Sequence, residues 1–259
     1  MPKPRPMKHA DGIAWVTGAS SGIGRNVSLE LARRGWIVAA TARRREELEA
    51  LAKEAAGLSG SIIPYPGDVT DARSMQSVFD AIEAAGRPVA LAFLNAGIAP
   101  LARAPEIDVA AVRQAFEVNV LGVFHGLAAL LPAFAKRQQG QVAICASVAG
   151  YGGLPKAAAY GATKAAMINA AASLRIDCSR FGILVQAVNP GFIDTPLTQK
   201  NNFPMPFLMQ PEKAARACVD GFERARFEII FPRRLAWILK ALNLLPYSVY
   251  FWLMGLAGR

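Results

Sequence analysis

Short apolar runs alternate with longer amphipathic stretches over residues 13–191 of the chain. The apolar runs are GIAWVTG, WIVAATA, SIIPYPGDV, VALAFLNAG, QVAICAS and ILVQAVNPG. Strands that end near glycine and alternate with helical segments are typical of βαβ units and a parallel sheet. Because most of these runs are continuously apolar, we expect both faces of the sheet to be covered. The pattern predicts one doubly wound α/β domain with a parallel sheet of about seven strands.

Apolar residues at helical spacing mark the segments between the strands. They predict helices at about residues 26–35, 45–56, 71–85, 110–136 and 160–179. No linker-like change of composition interrupts residues 13–191, so the chain is expected to form a single domain over residues 1–259.

Three segments depart from the strand–helix pattern. Residues 1–10 contain three prolines and lack the apolar core of a signal peptide, which predicts a mobile tail. Residues 192–211 are rich in proline and asparagine and form a predicted irregular segment. Residues 235–259 are almost continuously apolar, but Lys240 and Pro246 interrupt them. A bilayer span needs about 20 apolar residues, so two short helices are predicted instead.

Charge and cysteine content exclude several functional classes. The net charge is +10, but the basic residues are dispersed, and no zinc-finger or RNA-binding signature accompanies them. Nucleic-acid binding is therefore not expected. Three cysteines without CxxC spacing and two histidines predict neither a disulfide framework nor a metal site. Reduced thiols are typical of a cytoplasmic protein, and Cys145 is expected to be a buried structural thiol.

The first apolar run leads into the glycine-rich sequence TGASSGIG. Its glycines, Gly18, Gly22 and Gly24, allow a strand–turn–helix connection whose backbone amides approach a pyrophosphate closely. Glycine loops of this kind also occur as ordinary tight turns, so the loop alone is a weak indication of a nucleotide site.

A serine, a tyrosine and a lysine follow the fifth apolar run in SVAGYGGLPKAAAYGATK. Tyr160 and Lys164 are four residues apart, so they share one face of the predicted helix. The pair could be part of an amphipathic surface or an acid/base device. A free phenol titrates near pH 10, and an ammonium about 6 Å away would stabilise the phenolate by roughly 2–3 kcal/mol. A lowered pKa is therefore expected for Tyr160.

Several motifs occur together in a fixed order over residues 11–196. The glycine loop is followed by Asp68-Val69 at the end of the third strand, Asn95-Ala96-Gly97 after the fourth, Asn119, Ser147, the YxxxK motif, Pro190-Gly191 and Thr195. In this order they resemble the motifs of the short-chain dehydrogenase/reductase family. The resemblance implies a Rossmann fold and a nicotinamide-dependent oxidoreductase.

The resemblance also implies roles for four residues. Tyr160 would be the acid/base and Ser147 would orient the substrate oxygen. Lys164 would hold the nicotinamide ribose and modify the pKa of Tyr160, and Asn119 would support a proton relay. The oxidised nicotinamide ring would supply further positive charge near the phenol.

The second strand ends at Thr41-Ala42-Arg43 without the acidic residue that NAD-preferring sites use for the ribose. A guanidinium fits a 2′-phosphate, so Arg43, assisted by the hydroxyl of Ser20, predicts NADP(H) over NAD(H). The alternative is that residues 43–45 only pair with Glu47 and Glu49. The resemblance implies cofactor contacts from Gly18, Ser20, Ser21, Gly22, Ile23, Gly24, Arg43, Asp68, Val69, Asn95, Ala96, Gly97, Tyr160, Lys164, Pro190, Gly191, Ile193 and Thr195.

The expected substrate is a small apolar carbonyl compound or secondary alcohol. In the family, residues 192–211 would form the substrate loop, here either a lid or a self-packing or dimer segment, and residues 150–156 another wall. A homodimer or homotetramer is expected. Residues 235–259 either pack over the domain or contact a membrane peripherally. One alternative function is a catalytically idle, cofactor-binding regulatory or scaffold protein, although all four catalytic residues are present. The other is a membrane-peripheral reductase of lipid-like or steroid-type substrates.

Overall fold

A seven-stranded parallel sheet forms the centre of the computed structural model, which describes residues 3–201 and 203–257. The strand order is β3-β2-β1-β4-β5-β6-β7, so the chain reverses its winding direction between β1 and β4. The strands are β1 Ile13–Thr17, β2 Ile37–Thr41, β3 Ser61–Pro64, β4 Val89–Leu94, β5 Gly140–Cys145, β6 Ile183–Pro190 and β7 Glu228–Phe231. The predicted doubly wound α/β fold is confirmed.

Helices cover both faces of this sheet. They are α1 Gly22–Arg33, α2 Arg45–Glu54, α3 Ala72–Ala84, α4 Val109–Phe116, α5 Gly122–Arg137, α6 Ala158–Ser179, α7 Pro211–Phe222, α8 Arg233–Leu242 and α9 Tyr247–Ala257. Along β1, Ala14 and Val16 pack into one core while Ile13 and Trp15 pack into the other. This alternation explains why the strands are apolar at every position.

Two local predictions differ from the structure. The third strand ends at Pro64, so Asp68 and Val69 lie in the loop that follows it. Beyond Pro64 the amides of Tyr65 and Gly67 still donate to the carbonyls of Ala40 and Ala42, at 2.8 and 3.1 Å, so this loop follows the end of β2. The helix predicted over residues 110–136 contains a π-helical turn at Glu117–Leu121 between α4 and α5.

The helical stretch 109–137 is the one, among the described residues, that is long and apolar enough to cross a membrane by composition. In the fold it is a core helix. Leu127, Leu130 and Phe134 are buried in the core that also contains Trp15 and Phe79.

The N-terminal segment is packed against the domain from Arg5 onward, so the prediction of a mobile tail over residues 1–10 is wrong for this part. Arg5 forms a bidentate ion pair with Asp11, with N–O distances of 2.8 and 2.9 Å. Met7 is buried, and its amide donates a hydrogen bond of 2.7 Å to Oε1 of Gln141. The partner is distant in sequence, which is why local composition did not reveal the contact.

Two buried glutamines connect the central strands to the segment between α7 and β7. The Nε2 group of Gln141 donates to Oε1 of Gln186 at 2.7 Å and to the Phe222 carbonyl at 2.8 Å. Nε2 of Gln186 lies 3.1, 2.8 and 2.9 Å from the carbonyl oxygens of Gly221, Arg224 and Arg226. Buried amides with this many partners stabilise the fold mainly because removing one leaves the others unsatisfied.

We expect Gln186→Leu to lower the free energy of unfolding by about 2–4 kcal/mol, because it removes one acceptor from the Gln141 amide and the side-chain donor from the Arg224 and Arg226 carbonyls. Guanidinium unfolding would measure the loss. Gln76→Leu is the matched control: Gln76 lies on the exposed side of α3 and bonds only to Asp80 among the described residues. Its effect should stay within about 0.5 kcal/mol. Equal losses for the two variants would contradict this assignment.

Candidate active site

The loop between β1 and α1 requires glycine for two different reasons. Gly18 and Gly22 have φ angles of +68° and +55°, a region that disfavours other residues. Gly24 is required by space, because a Cβ there would lie 2.4 Å from the Gly18 carbonyl oxygen and 2.5 Å from Nδ2 of Asn95. The backbone is thereby brought close to the start of α1, where free amides favour a phosphate group.

Thr17 and Asn95 join the glycine loop to the turn after β4. The Thr17 hydroxyl accepts hydrogen bonds from the amides of Asn95 and Ala96, at 2.9 and 3.2 Å. The Asn95 side chain donates to the Thr17 carbonyl at 3.1 Å. The Asn95 side chain therefore positions the glycine loop by donating to backbone carbonyls of the loop. Thr17 was not identified from the sequence, since a threonine that ends a strand has no distinctive pattern.

A cleft of about 470 Å³ opens at the carboxyl ends of the neighbouring strands β1 and β4. The winding direction of the chain reverses at this point, which is where a doubly wound fold is expected to bind its ligand. Most predicted cofactor residues line it: Gly18, Ser20, Ser21, Gly22, Ile23, Arg43, Asp68, Val69, Asn95, Ala96, Gly97, Tyr160, Lys164, Pro190 and Thr195. Residues that the sequence analysis did not identify also line it, among them Arg44, Gly67, Ile98, Gln114, Val118 and Leu197.

Three predicted cofactor residues lie outside the cleft lining. Gly24 faces Gly18 and Asn95 beneath the loop. Gly191 faces α8, because a Cβ there would lie 2.8 Å from Cδ2 of Leu235. Ile193 is buried in the core and its backbone forms a bridge with Met209. A structural role accounts for each of these positions.

Arg43 and Arg44 line one end of the cleft together with Ser20. Nη2 of Arg44 lies 3.4 Å from the Ser20 hydroxyl oxygen. Arg44 and Arg45 are 3.9 Å from Glu47 and Glu49, so the predicted alternative of surface pairing describes these two arginines. Among the described residues Arg43 has no acidic partner within ion-pair distance.

Tyr160 and Lys164 also line this cleft, and Ser147 is buried beside it without lining it. Ser147 follows β5 and accepts a hydrogen bond from the Ala149 amide at 3.1 Å. Tyr160 and Lys164 project from the first turns of α6. The Ser147 hydroxyl donates to the Pro190 carbonyl at 3.3 Å and lies near enough to Tyr160 to affect the pKa of its hydroxyl. Nζ of Lys164 lies 5.7 Å from the centre of the Tyr160 ring. The structure therefore brings the three predicted side chains together.

The Lys164 ammonium is buried and donates a hydrogen bond of 2.8 Å to the carbonyl oxygen of Cys145. Burial lowers its pKa. Burial likewise raises the pKa of the Cys145 thiol, which fits the expected structural role of that side chain.

The pKa of Tyr160 differs from the expectation. Tyr160 is half-buried as a residue, but burial of its hydroxyl raises the pKa to about 12, while the nearby Ser147 side chain acts in the opposite direction. Burial of the hydroxyl is the largest effect on this pKa, and the Lys164 ammonium, 5.7 Å from the ring centre, does not offset it. With the protein's own groups alone, Tyr160 is a protonated hydroxyl at neutral pH.

Asn119 lies behind the cleft in the π-helical turn. Its side chain is fully buried and exchanges hydrogen bonds of 2.8 Å with the amide and carbonyl of Ile98. Its Nδ2 also donates to the Thr163 hydroxyl at 3.0 Å. A Cβ on Gly97 would lie 3.2 Å from Oδ1 of Asn119 and 3.6 Å from Nζ of Lys164. These two side chains therefore lie beside the same glycine.

A second cleft of about 720 Å³ adjoins the first, and both are lined by Ile98, Gln114 and Leu197. The predicted substrate segment 192–211 contributes Leu197, Lys200, Asn201 and Phe203, and the predicted wall 150–156 contributes Lys156. Residue 202 of this segment lies outside the described residues.

The C-terminal helices pack against the wall formed by residues 150–156. The Tyr250 hydroxyl donates a hydrogen bond of 2.8 Å to the Gly153 carbonyl. Glu228, in β7, accepts hydrogen bonds from Tyr151 at 2.6 Å and Asn189 at 2.7 Å, and it also pairs with Lys240 of α8. Of the two predicted roles for residues 235–259, packing over the domain is observed.

Comparison with known proteins agrees with this geometry. The family model for short chain dehydrogenases matches residues 12–205. The protein belongs to the short-chain dehydrogenase family. A Myxococcus xanthus protein described as an uncharacterized oxidoreductase is 38% identical over 237 residues, which cover 92% of this chain and 94% of its own.

Two solved structures of similar fold carry nicotinamide cofactors. A short-chain dehydrogenase from Sphingobium yanoikuyae in complex with NADPH superposes with a TM-score of 0.80 and 26% identity, covering 94% of this chain and 95% of its own. A 3-oxoacyl-(acyl-carrier protein) reductase with bound NAD from Brucella melitensis has a TM-score of 0.76 and 26% identity, covering 88% and 92%. The chain is thus an oxidoreductase of the short-chain dehydrogenase family.

In this short-chain dehydrogenase, Gly24→Ala should weaken NADPH binding at least tenfold, since the added methyl group would displace Asn95 or the Gly18 carbonyl from the loop. A titration of NADPH fluorescence measures the affinity. Gly255→Ala is the matched control, because no atom of the described residues lies within 4 Å of the place that its methyl group would take. Unchanged affinity in Gly24→Ala would contradict the proposed packing of the loop.

Proposed function

We propose that this protein transfers hydride between NADP(H) and the carbonyl carbon of an apolar substrate, with Tyr160 as the proton donor. The observation that carries the proposal is that Tyr160 and Lys164 line the same cleft as the glycine loop, with Ser147 next to Tyr160. A proton donor and a nucleotide-binding loop that share one cleft are what a carbonyl reduction needs.

The protonation state of Tyr160 favours reduction over oxidation. A phenol whose pKa is raised to about 12 keeps its proton at neutral pH and can donate it to an alkoxide that forms in the cleft. Ser147 would orient the same substrate oxygen through its hydroxyl group. When bound, the nicotinamide would supply the hydride and, once oxidised, a positive charge that favours the phenolate.

Lys164 and Asn119 would hold the ribose side of the cleft. The ammonium is fixed to the Cys145 carbonyl, so its remaining donors are available for a ribose hydroxyl. The hydrogen bonds between the Asn119 side chain and the Ile98 backbone fix the chain on one side of Gly97. We assign both residues a positioning role, with proton transfer through Tyr160.

The preference for NADP(H) is argued from this chain's own side chains, since similar structures carry either NADPH or NAD. Arg43, Arg44 and Ser20 line the end of the cleft beyond the glycine loop, and β2 ends without an acidic residue there. Two guanidinium groups and a hydroxyl fit a 2′-phosphate, whereas a ribose hydroxyl would give Arg43 no anion to pair with.

The substrate side of the cleft favours an apolar acyl or alkyl chain next to the carbonyl. The apolar side chains of Ile98, Leu101, Leu197 and Phe203 would contact such a chain, although charged residues also line the second cleft: Arg103, Glu106, Lys156 and Lys200. The Brucella relative is a 3-oxoacyl reductase, so 3-oxoacyl thioesters and apolar ketones are the first substrates to test. For assembly we propose a homodimer or homotetramer in the cytoplasm, supported by exposed apolar side chains on α4 and α5, including Val109 and Phe124.

Tyr160→Phe should reduce kcat by at least 10²-fold (about two to four powers of ten for a lost general acid), while the Kd for NADPH changes little. NADPH oxidation with a panel of apolar ketones and 3-oxoacyl thioesters measures kcat. Tyr65→Phe is the control, because Tyr65 packs against the core beside β3. Full turnover in Tyr160→Phe would exclude the mechanism, and an absence of turnover in the wild type across the panel would favour the scaffold function.

Arg43→Ala and Arg44→Ala should each raise the KM for NADPH about tenfold and leave the KM for NADH nearly unchanged, because each removes a charge from the proposed phosphate site. Arg45→Ala is the matched control: Arg45 is adjacent in sequence but does not line the cleft. An equal effect on NADH, or a wild-type preference for NADH, would contradict the assignment of NADP(H).

A further inference from the structure

Helices α8 and α9 and the turn between them expose an unusual number of large apolar side chains. We call these residues the C-terminal surface: Trp237, Ile238, Leu244, Leu245, Tyr247, Val249, Phe251, Trp252 and Leu256. Trp237, Phe251 and Trp252 are each more than 60% exposed, and Leu244 is 86% exposed. Contiguous exposed apolar side chains on this scale mark an interaction site in a folded protein.

The two helices are firmly packed on their inner sides. In α8, Leu235 and Ala236 are buried against Val148, which follows the catalytic Ser147. In α9, Tyr250 is buried and bonded to Gly153. The apolar side chains of the C-terminal surface therefore lie on the outer sides of two helices that are packed on the domain.

The composition of α9 indicates that something covers it. Its eleven residues, YSVYFWLMGLA, contain no charged side chain. A helix that is apolar all round is normally buried, yet Tyr250 is the residue of α9 that the rest of the described chain buries.

The charges around the C-terminal surface favour an anionic partner. From residue 232 to the end the sequence has no acidic residue, but it has four basic ones. Arg233 and Arg234 are exposed at the start of α8, and the nearby carboxylate of Glu228 is already paired with Lys240. Two copies of this surface would bring like charges together, whereas an anionic lipid headgroup layer would attract them.

The arrangement of residues is typical of a helix that lies in a membrane interface. On α8, Arg234 precedes Trp237, Ile238 and Ala241 at helical spacing on the exposed side. Tryptophan and tyrosine favour the headgroup region, where Trp237, Tyr247 and Trp252 would lie. Helices of ten and eleven residues are only about 15 Å long, too short to span a bilayer.

We propose that the C-terminal surface binds peripherally to membranes that contain anionic lipids, with α8 and α9 lying in the headgroup region. The apolar side chains would enter the boundary of the acyl chains, and Arg233 and Arg234 would contact the headgroups. This binding is independent of the hydride-transfer chemistry proposed above.

Vesicle binding by the full chain tests the proposal. Phosphatidylcholine vesicles with and without phosphatidylglycerol are titrated into the protein, and binding is followed by co-flotation and by tryptophan emission. Of the four tryptophans, Trp15 and Trp36 are buried in the domain, so a blue shift of the emission would report on Trp237 and Trp252. We expect a blue shift and co-flotation with the anionic vesicles, both weakened by salt.

Two pairs of variants separate the apolar and the charged contributions. Trp237→Gln/Trp252→Gln should weaken binding more than tenfold, while Ile176→Gln, which removes a 74% exposed apolar side chain from α6, should not. Arg233→Gln/Arg234→Gln should weaken binding about 30-fold, at roughly fivefold per charge. Lys53→Gln/Arg73→Gln removes the same net charge elsewhere and should have a much smaller effect. NADPH binding verifies that each variant is folded.

Three results would overturn the proposal. The first is a wild-type protein that neither floats with anionic vesicles nor shifts its emission. The second is vesicle binding that the control variants weaken as much as the variants of the C-terminal surface do. The third is a wild-type oligomer, measured by light scattering, that dissociates in Trp237→Gln/Trp252→Gln without any vesicle binding, because the surface would then be a contact between copies of this chain.

Discussion

Burial of the Lys164 ammonium is the constraint around which the catalytic end of the sheet is arranged. Removing a cation from water costs free energy unless nearby groups accept hydrogen bonds from it. For the Lys164 ammonium, one such acceptor is the Cys145 carbonyl at the end of β5. This bond places the start of α6 directly over the end of β5. Ser147 and Tyr160 are therefore brought together by the same contact that satisfies the ammonium. Gly97 leaves space on its other side, where a larger residue would crowd both Lys164 and Asn119.

The parts of this site that could be predicted from the sequence are those whose physical cause is local. Glycines that require a positive φ, and a tyrosine and lysine one helical turn apart, are visible within a few residues. The bracing of the glycine loop by Thr17 and Asn95 is different, because it joins the ends of β1 and β4 across 78 residues of chain. The π-helical turn at Asn119 and the pKa of Tyr160 depend in the same way on packing between distant segments. Motif order predicted which residues belong to the site, but the contacts that each one makes depend on the folded structure.

The same distinction explains the errors at the N-terminus. A segment with three prolines and several charges predicts a solvated tail, and nothing nearby contradicts that interpretation. Met7 is ordered because Gln141, at the start of β5, presents a buried carbonyl that needs a donor. The need of this buried Gln141 oxygen for a donor cannot be inferred from the sequence of residues 1–10. Arg44 is a similar case, since its position near Ser20 depends on how β2 and the glycine loop lie together.

Glu228 connects the C-terminal helices to the substrate side of the site. Burial acts to raise its pKa, but hydrogen bonds from Lys240, Tyr151 and Asn189 outweigh this and lower the pKa, so the carboxylate stays ionised. One buried charge thus joins β7, the end of β6, the wall at residues 150–156 and α8. The catalytic cluster, by contrast, is fixed by contacts among β5, α6 and the turn after β4. The two sets of contacts meet at α8, where Leu235 and Ala236 pack against Val148, next to Ser147. Changes in the C-terminal helices would therefore act on the substrate wall and on the position of Ser147, while Lys164 keeps its bond to the Cys145 carbonyl.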